Sequence, residues 1–167
     1  MYASNPWGDS FYKIYGEMNY TAAESQCKSD GALLAVPRFE SENNFIADLN
    51  TAKFWIGVND LQEEGKFVTV EGDLSYTNWY NGQPNNSLHS NGYDEDGVTM
   101  NWASKRYWND SPINQLNPFV CLYRTIESGE NRTIVFENEL KMYWGFQGEK
   151  SRVKNRFEKI IFRGMFL

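Results

Sequence analysis

Gln83-Pro84-Asn85, Glu95-Asp96 and Trp108-Asn109-Asp110 punctuate the stretch on which the reading of this chain turns. From Glu71 to about Ser104 the sequence is rich in Gly, Asn, Asp and Ser and follows neither the helical nor the strand period. A run this long without regular structure needs a function if it lies inside a compact domain. Residues 60–110 also concentrate hard oxygen donors: Asp60, Glu64, Gln83, Asn85, Asn86, Glu95, Asp96, Asn109 and Asp110. Calcium takes about six to eight oxygens of these kinds, and a cation among them would order a loop that has no core of its own. Zinc fits badly, since it prefers Cys and His and the chain has one His and two distant Cys. The EF-hand spacing is absent. By composition alone these acids read equally well as solvated loop residues.

The flanks carry regular patterns. Phe11-Tyr12-Lys13-Ile14-Tyr15 alternates as a strand. Thr21-Ala22-Ala23-Glu24 has the form of a capping box, opening a helix through Cys27 that stops at Gly31. Ser41 is expected to cap a second helix with Phe45, Ile46 and Leu49 on one face. Phe54-Trp55-Ile56-Gly57-Val58 is apolar throughout, as a buried strand would be, and Lys66-Phe67-Val68-Thr69-Val70 is expected to be the next. Order resumes at Arg106-Tyr107-Trp108, and Pro118-Phe119-Val120-Cys121-Leu122-Tyr123 forms the last strand.

The length of 167 residues suits one domain with an added segment. The net charge of −6 is unevenly spread: residues 1–140 carry 20 acids and 9 bases, residues 141–167 carry 7 bases and 2 acids. An acidic body disfavours nucleic acid, whose phosphates need the opposite sign. No apolar run approaches the roughly 20 residues that span a bilayer. Met1 leads directly into polar sequence with no legible secretory leader. A cytosolic location is therefore left open beside a secreted one whose leader lies outside this sequence. Cys27 and Cys121 allow one intramolecular pairing or none.

Phe54-Trp55-Ile56-Gly57-Val58-Asn59-Asp60, Glu64-Gly65-Lys66-Phe67, Asn78-Trp79, Gln83-Pro84-Asn85, Glu95-Asp96 and Trp108-Asn109-Asp110 resemble, in order and spacing, the C-type lectin-like family. The resemblance covers residues 7–124 or so. It implies an α+β fold of two helices and two small antiparallel sheets with a long calcium-binding loop. It also implies that residues 1–124 are the domain and 125–167 an extension. It places a principal calcium ion on Gln83, Asn85, Glu95, Asn109 and Asp110, the Asp110 backbone carbonyl contributing. A second ion falls on Asp60, Glu64, Asn86, Glu95 and Asp96. Gln83, Asn85, Glu95 and Asn109 would hydrogen-bond the sugar hydroxyls that complete the shell. The resemblance further implies a cis peptide before Pro84, a Cys27–Cys121 disulfide, and an extracellular protein serving recognition or adhesion. Calcium affinity should be on the order of 10⁻⁴ to 10⁻³ M, as in extracellular modules.

Sugar choice is mixed. In the family Glu-Pro-Asn accompanies mannose-type sugars and Gln-Pro-Asp galactose-type sugars, and Gln83-Pro84-Asn85 takes one residue from each. The long segment from Asn85 to Glu95, with Tyr93 able to stack on a galactose face, leans to galactose. Tyr93 reads as readily as an ordinary surface tyrosine. His89 has no partner triad that would make it a general base. A lectin-like module that recognises protein without sugar is the alternative. No nucleophile–base pair marks an enzyme, and Glu95 and Asp96 read as ligands in preference to a hydrolase pair.

The chain departs from the family in three places. The usual disulfide inside the long loop is missing from both ends: Gly97 stands at one position, and the partner falls among Ser111, Pro112 and Ile113. Asn-x-Ser/Thr sequons begin at Asn19, Asn85, Asn109 and Asn131, and two of these coincide with expected calcium ligands. Beyond Arg124, Val153, Phe157, Ile160 and Ile161 follow helical spacing among bases. That segment reads as a basic amphipathic helix for a membrane surface or protein partner, or as an extension that docks on the acidic body. Glycans or glycoproteins are the expected partners. Clustering in an oligomer would supply avidity, but no heptads are present to drive it.

Without its disulfide the loop should depend on calcium for order. Limited proteolysis should cut within residues 71–104 faster in chelator than in calcium, and equal protection in both would contradict this.

Overall fold

The computed structural model describes residues 3–4, 6, 10–87, 94–101, 106–128 and 131–134. In chain order the elements are β1 (Ala3–Ser4), β2 (Ser10–Met18), α1 (Tyr20–Ser29), β3 (Leu33–Leu34), α2 (Glu40–Asp48) and β4 (Phe54–Asn59). After these come β5 (Val68–Thr69), β6 (Gly72–Asp73), β7 (Gly97–Met100), β8 (Trp108–Ser111), β9 (Asn117–Ser128) and β10 (Asn131–Ile134). This is the α+β arrangement expected. Its strands fall into two antiparallel groups. One gathers β1, β2, β3 and β10 around β9, and the other gathers β5, β6, β7 and β8 around β4. A single parallel contact, Trp55 against Phe119, joins them into one mixed sheet.

The apolar run at Phe54 is explained by burial on both faces. Phe54, Ile56 and Val58 enter one core cluster with Ile46, Trp108 and Leu122. Trp55 enters the other, with Tyr20, Leu34 and Phe119. β9 repeats the division, Val120 and Leu122 to one side, Phe119 and Cys121 to the other. Side chains alternate along a strand, so a strand between two cores must be apolar throughout. Cys27 and Cys121 form the disulfide, at a sequence separation of 94. Closing so long a loop stabilises by about 4–5 kcal/mol in the chain-entropy model.

Both helix starts differ from expectation. α1 is capped by Asn19, not Thr21: Asn19 Oδ1 accepts the Ala22 amide at 2.9 Å and the Thr21 hydroxyl at 3.2 Å. Glu24 turns outward and pairs with Lys28 at 2.8 Å. α2 starts after Phe39, two residues earlier than a Ser41 cap would allow, and no side chain caps it. Its start is fixed by Glu42, which reaches back to accept the Arg38 amide at 2.8 Å and the Arg38 Nε at 2.9 Å. Tyr12 also donates to Glu42, at 2.9 Å. With Arg38 Nη2 donating as well, at 3.0 Å, these donors compensate a fully buried carboxylate.

Regular structure also enters the irregular stretch. β7 was not legible there, yet all four of its residues are buried, and it pairs with both β4 and β8. At the other end, β9 does not stop at Tyr123 but continues to Ser128 and pairs with β10. Val153, Phe157, Ile160 and Ile161 lie outside the described residues.

Gly57 is where the two cores leave no room. A Cβ there would stand 2.6 Å from the Leu34 carbonyl oxygen and 2.8 Å from Val70 Cγ2. Backbone cannot yield as a flexible side chain can, so Gly57→Ala should cost about 2–3 kcal/mol in chemical denaturation. A loss below about 0.5 kcal/mol would contradict the packing described.

Candidate functional site

β8 carries Trp108, Asn109 and Asp110 into the interior and is held there by side chains far away in sequence. Trp108 is fully buried and meets Trp79 and Tyr76 edge-on, with ring centroids 5.6 and 5.9 Å apart. Its indole N–H donates to Asn43 Oδ1 of α2 at 2.7 Å. Asn43 Nδ2 and Asn78 Nδ2 both donate to the Arg106 carbonyl, at 3.1 and 2.8 Å. Asn43 was missed in the sequence. A mid-helix asparagine carries no local sign of a partner 65 residues away.

With β8 fixed, Asp110 organises the opposite loop. Its carboxylate is wholly buried. Oδ2 accepts the amides of Asn85 at 2.8 Å and Asn86 at 2.7 Å. Oδ1 has no hydrogen-bond partner. Nearby, Gln83 Oε1 is also buried and unpartnered. The Gln83-Pro84 peptide is cis, as expected. Glu95 Oε2 accepts the Ser87 amide at 2.9 Å, and Asn86 Oδ1 accepts the Glu95 amide at 3.0 Å. Asn109 directs its amide nitrogen to the Asp110 carbonyl and to Ser111 Oγ, the latter at 3.0 Å. Asn85 thus touches Asp110 directly, and Glu95 is tied to the same loop through Asn86 and Ser87, while Gln83 adjoins them along the chain.

The second group is less assembled. Asp60 is buried, and Oδ2 accepts the Gly65 amide at 2.9 Å while Oδ1 has no partner. The Asp60 amide donates to the Asp96 carbonyl at 3.1 Å. Glu64 stands exposed. Among the described residues no three Asp, Glu, His or Cys side chains gather closely enough to hold a metal. An ion at either place would draw on amide and backbone oxygens as well as carboxylates. Tyr93 and His89 lie outside the described residues.

The position of the missing disulfide is visible. Gly97 pairs in register with Ser111. A side chain at Gly97 would meet Tyr20 Cδ2 at 3.0 Å, Trp55 Cζ3 at 3.1 Å and Ile113 Cγ2 at 3.2 Å. Aromatic and aliphatic groups fill the space next to this glycine.

The donor set suits a hard cation. Every side chain proposed for the principal ion offers oxygen, and two of those oxygens are buried without a partner. A buried polar atom without a partner is uncommon and costs stability. A cation that takes oxygen ligands would satisfy both.

A family model described as the lectin C-type domain matches residues 16–123. Collectin-10 of Xenopus tropicalis is 34% identical over 117 residues, which cover 66% of this chain and 40% of that protein. The chain thus spans less than half the length of that relative. The trimeric Kupffer cell C-type lectin receptor Clec4f has a similar structure, with a TM-score of 0.67 and 29% identity over 76% of this chain and 85% of that one. Herring type II antifreeze protein shares the fold at a TM-score of 0.64 and 23% identity, over 74% and 95% of the two chains.

Burial, together with the charges of Glu64 and Asp96, pushes the Asp60 carboxyl up to about 6, against the lowering effect of the Gly65 amide. In the unfolded chain the ordinary value is 3.8. Between these values the folded protein holds the extra proton, so stability falls as pH rises through about 6. In chelator, Asp60→Asn should gain on the wild type by about 2 kcal/mol between pH 4 and pH 6.5, read from denaturation curves. A difference that stays flat with pH would contradict the assignment.

Proposed function

This chain belongs to the C-type lectin domain family, and from that premise we propose that it binds carbohydrate through a calcium ion held by Gln83, Asn85, Glu95, Asn109 and Asp110. The observation that supports this reading is the pair of buried, unpartnered oxygens, Gln83 Oε1 and Asp110 Oδ1, both on residues of the expected ligand set. When bound, the ion supplies a Lewis-acidic centre on which vicinal sugar hydroxyls can sit. The protein's own part is positional. Asp110 fixes the Gln83–Asn86 turn, Asn86 and Glu95 fix each other, and the amides and carboxylates left over accept or donate to the sugar.

A second ion is proposed at Asp60, with Glu64, Asn86, Glu95 and Asp96 around it, because Asp60 Oδ1 is likewise buried without a partner. Galactose-type sugars are proposed over mannose-type ones from the loop length and Tyr93, against the hybrid Gln83/Asn85 code. The proposed role is extracellular recognition or adhesion, with no catalysis. The proposed division is a domain at residues 1–124 and an extension at 125–167. Each site would be weak alone, so oligomers would gain by avidity.

The fold by itself does not carry sugar binding, since the herring neighbour is an antifreeze protein. The rival reading is a lectin-like surface for protein recognition. A glycan array run in calcium and again in chelator separates the two. Chelator-sensitive glycan signals, led by terminal galactose, are expected. Silence in both conditions would refute sugar binding, and signals indifferent to chelator would refute the role of the ion.

A further inference from the structure

A recess of about 450 Å³ lies beside the proposed calcium cluster and shares none of its residues. Glu40 and Asn44 of α2, Tyr76 and Asn78 of the irregular segment after β6, and Arg106 and Tyr107 before β8 line it.

Its geometry is held under strain. Arg106 has φ +84°, a region that a side chain larger than glycine's rarely adopts. Its amide donates to Asn101 Oδ1 at 2.8 Å, its carbonyl takes both Asn43 and Asn78, and its guanidinium lies 3.0 Å from Asp48. Such a conformation persists only where the surroundings over-determine it, and it occurs most often at ligand sites.

Its chemistry is mixed in the way a sugar requires. Tyr76 and Tyr107 line it with aromatic rings on which C–H surfaces can pack, while Asn44 and Glu40 supply an amide and a carboxylate for hydroxyls. Burial and the Glu40 charge hold the Tyr76 phenol above its ordinary range, so it stays a donor. The Asn78 amide nitrogen is already committed to Arg106, which leaves that side chain its acceptor end.

A chain of contacts links the recess to the proposed calcium cluster. The Tyr107 ring packs edge-on against Tyr80 at 5.9 Å, and both rings are partly open to solvent, at 42% and 36%. Tyr80 in turn begins the turn to Gln83, whose amide donates to the Tyr80 carbonyl at 2.9 Å. Asn109 stands three positions after Arg106, which limits the distance between their Cα atoms to about 11 Å. An exposed aromatic ridge therefore runs from the cluster to the recess over a distance that one oligosaccharide can bridge.

We propose that this recess is a second saccharide subsite, taking the inner units of an oligosaccharide whose terminal unit sits at the Gln83–Asp110 cluster. The inference rests on the sugar-binding reading above. The test is titration in calcium of methyl β-galactoside against linear β1,4-galactotetraose, with methyl α-mannoside against linear mannotetraose as the second pair. In one pair the tetrasaccharide should bind about tenfold more tightly than its monosaccharide, as one or two stacked rings would give. Tyr107→Ala and Asn44→Ala should each bring that advantage within about twofold and leave the monosaccharide Kd unchanged. An advantage kept in both variants, or absent from the wild type while monosaccharide binds, overturns the subsite alone. Loss of monosaccharide binding in Tyr107→Ala also overturns it. No calcium-sensitive binding of any of the four sugars overturns the sugar-binding reading and the subsite with it.

Discussion

The carboxylate of Asp110 sits fully buried at the end of β8, and one of its oxygens holds two amides of a loop that has no strand of its own. Charge-assisted bonds of 2.7–2.8 Å to backbone are strong because the acceptor is ionised and screened from water. They bring Gln83, Asn85 and Asn86 to the edge of β8. The other oxygen is left buried and unpartnered. A single side chain thus both builds the loop and leaves the loop's clearest unmet demand. A cation that takes oxygen ligands would meet that demand.

That arrangement depends on where β8 stands, and β8 is placed by α2. Trp108 is pinned between two aromatic rings and the Asn43 oxygen. Asn43 is in turn adjacent to Glu42, a buried carboxylate paired with Arg38 and hydrogen-bonded by the Tyr12 hydroxyl. The polar groups on the inner face of α2 are therefore structural. They transmit the position of the helix to the strand that bears Asn109 and Asp110. The same network holds Arg106, so the proposed calcium cluster and the recess share one support.

Much of this was legible in the sequence because it rests on local pattern. The run at Phe54 reads as buried since no position in it is polar. Trp108-Asn109-Asp110 and Gln83-Pro84-Asn85 mark the loop by residue type, and Gly97 with its neighbours near Ser111 marks the absent disulfide. What stayed hidden depended on contacts between distant residues. Thr21 and Asn19 are both competent caps, and only the true start at Tyr20 chooses between them. β7 is short and begins with glycine, so it carries no alternation to detect, and its strand character comes from pairing with β4 and β8. Glu42 and Asn43 look like solvent-facing helix residues until Tyr12, Arg38 and Trp108 are brought to them.

The central claim is that the oxygens around Asp110 exist to hold calcium. Titration calorimetry of the chelator-stripped chain with calcium chloride tests it directly. Saturable binding with a Kd on the order of 10⁻⁴ to 10⁻³ M is expected, and Asp110→Ala should abolish the principal site. No saturable calcium binding in the wild type up to about 10 mM, well above the range for such modules, would contradict the account.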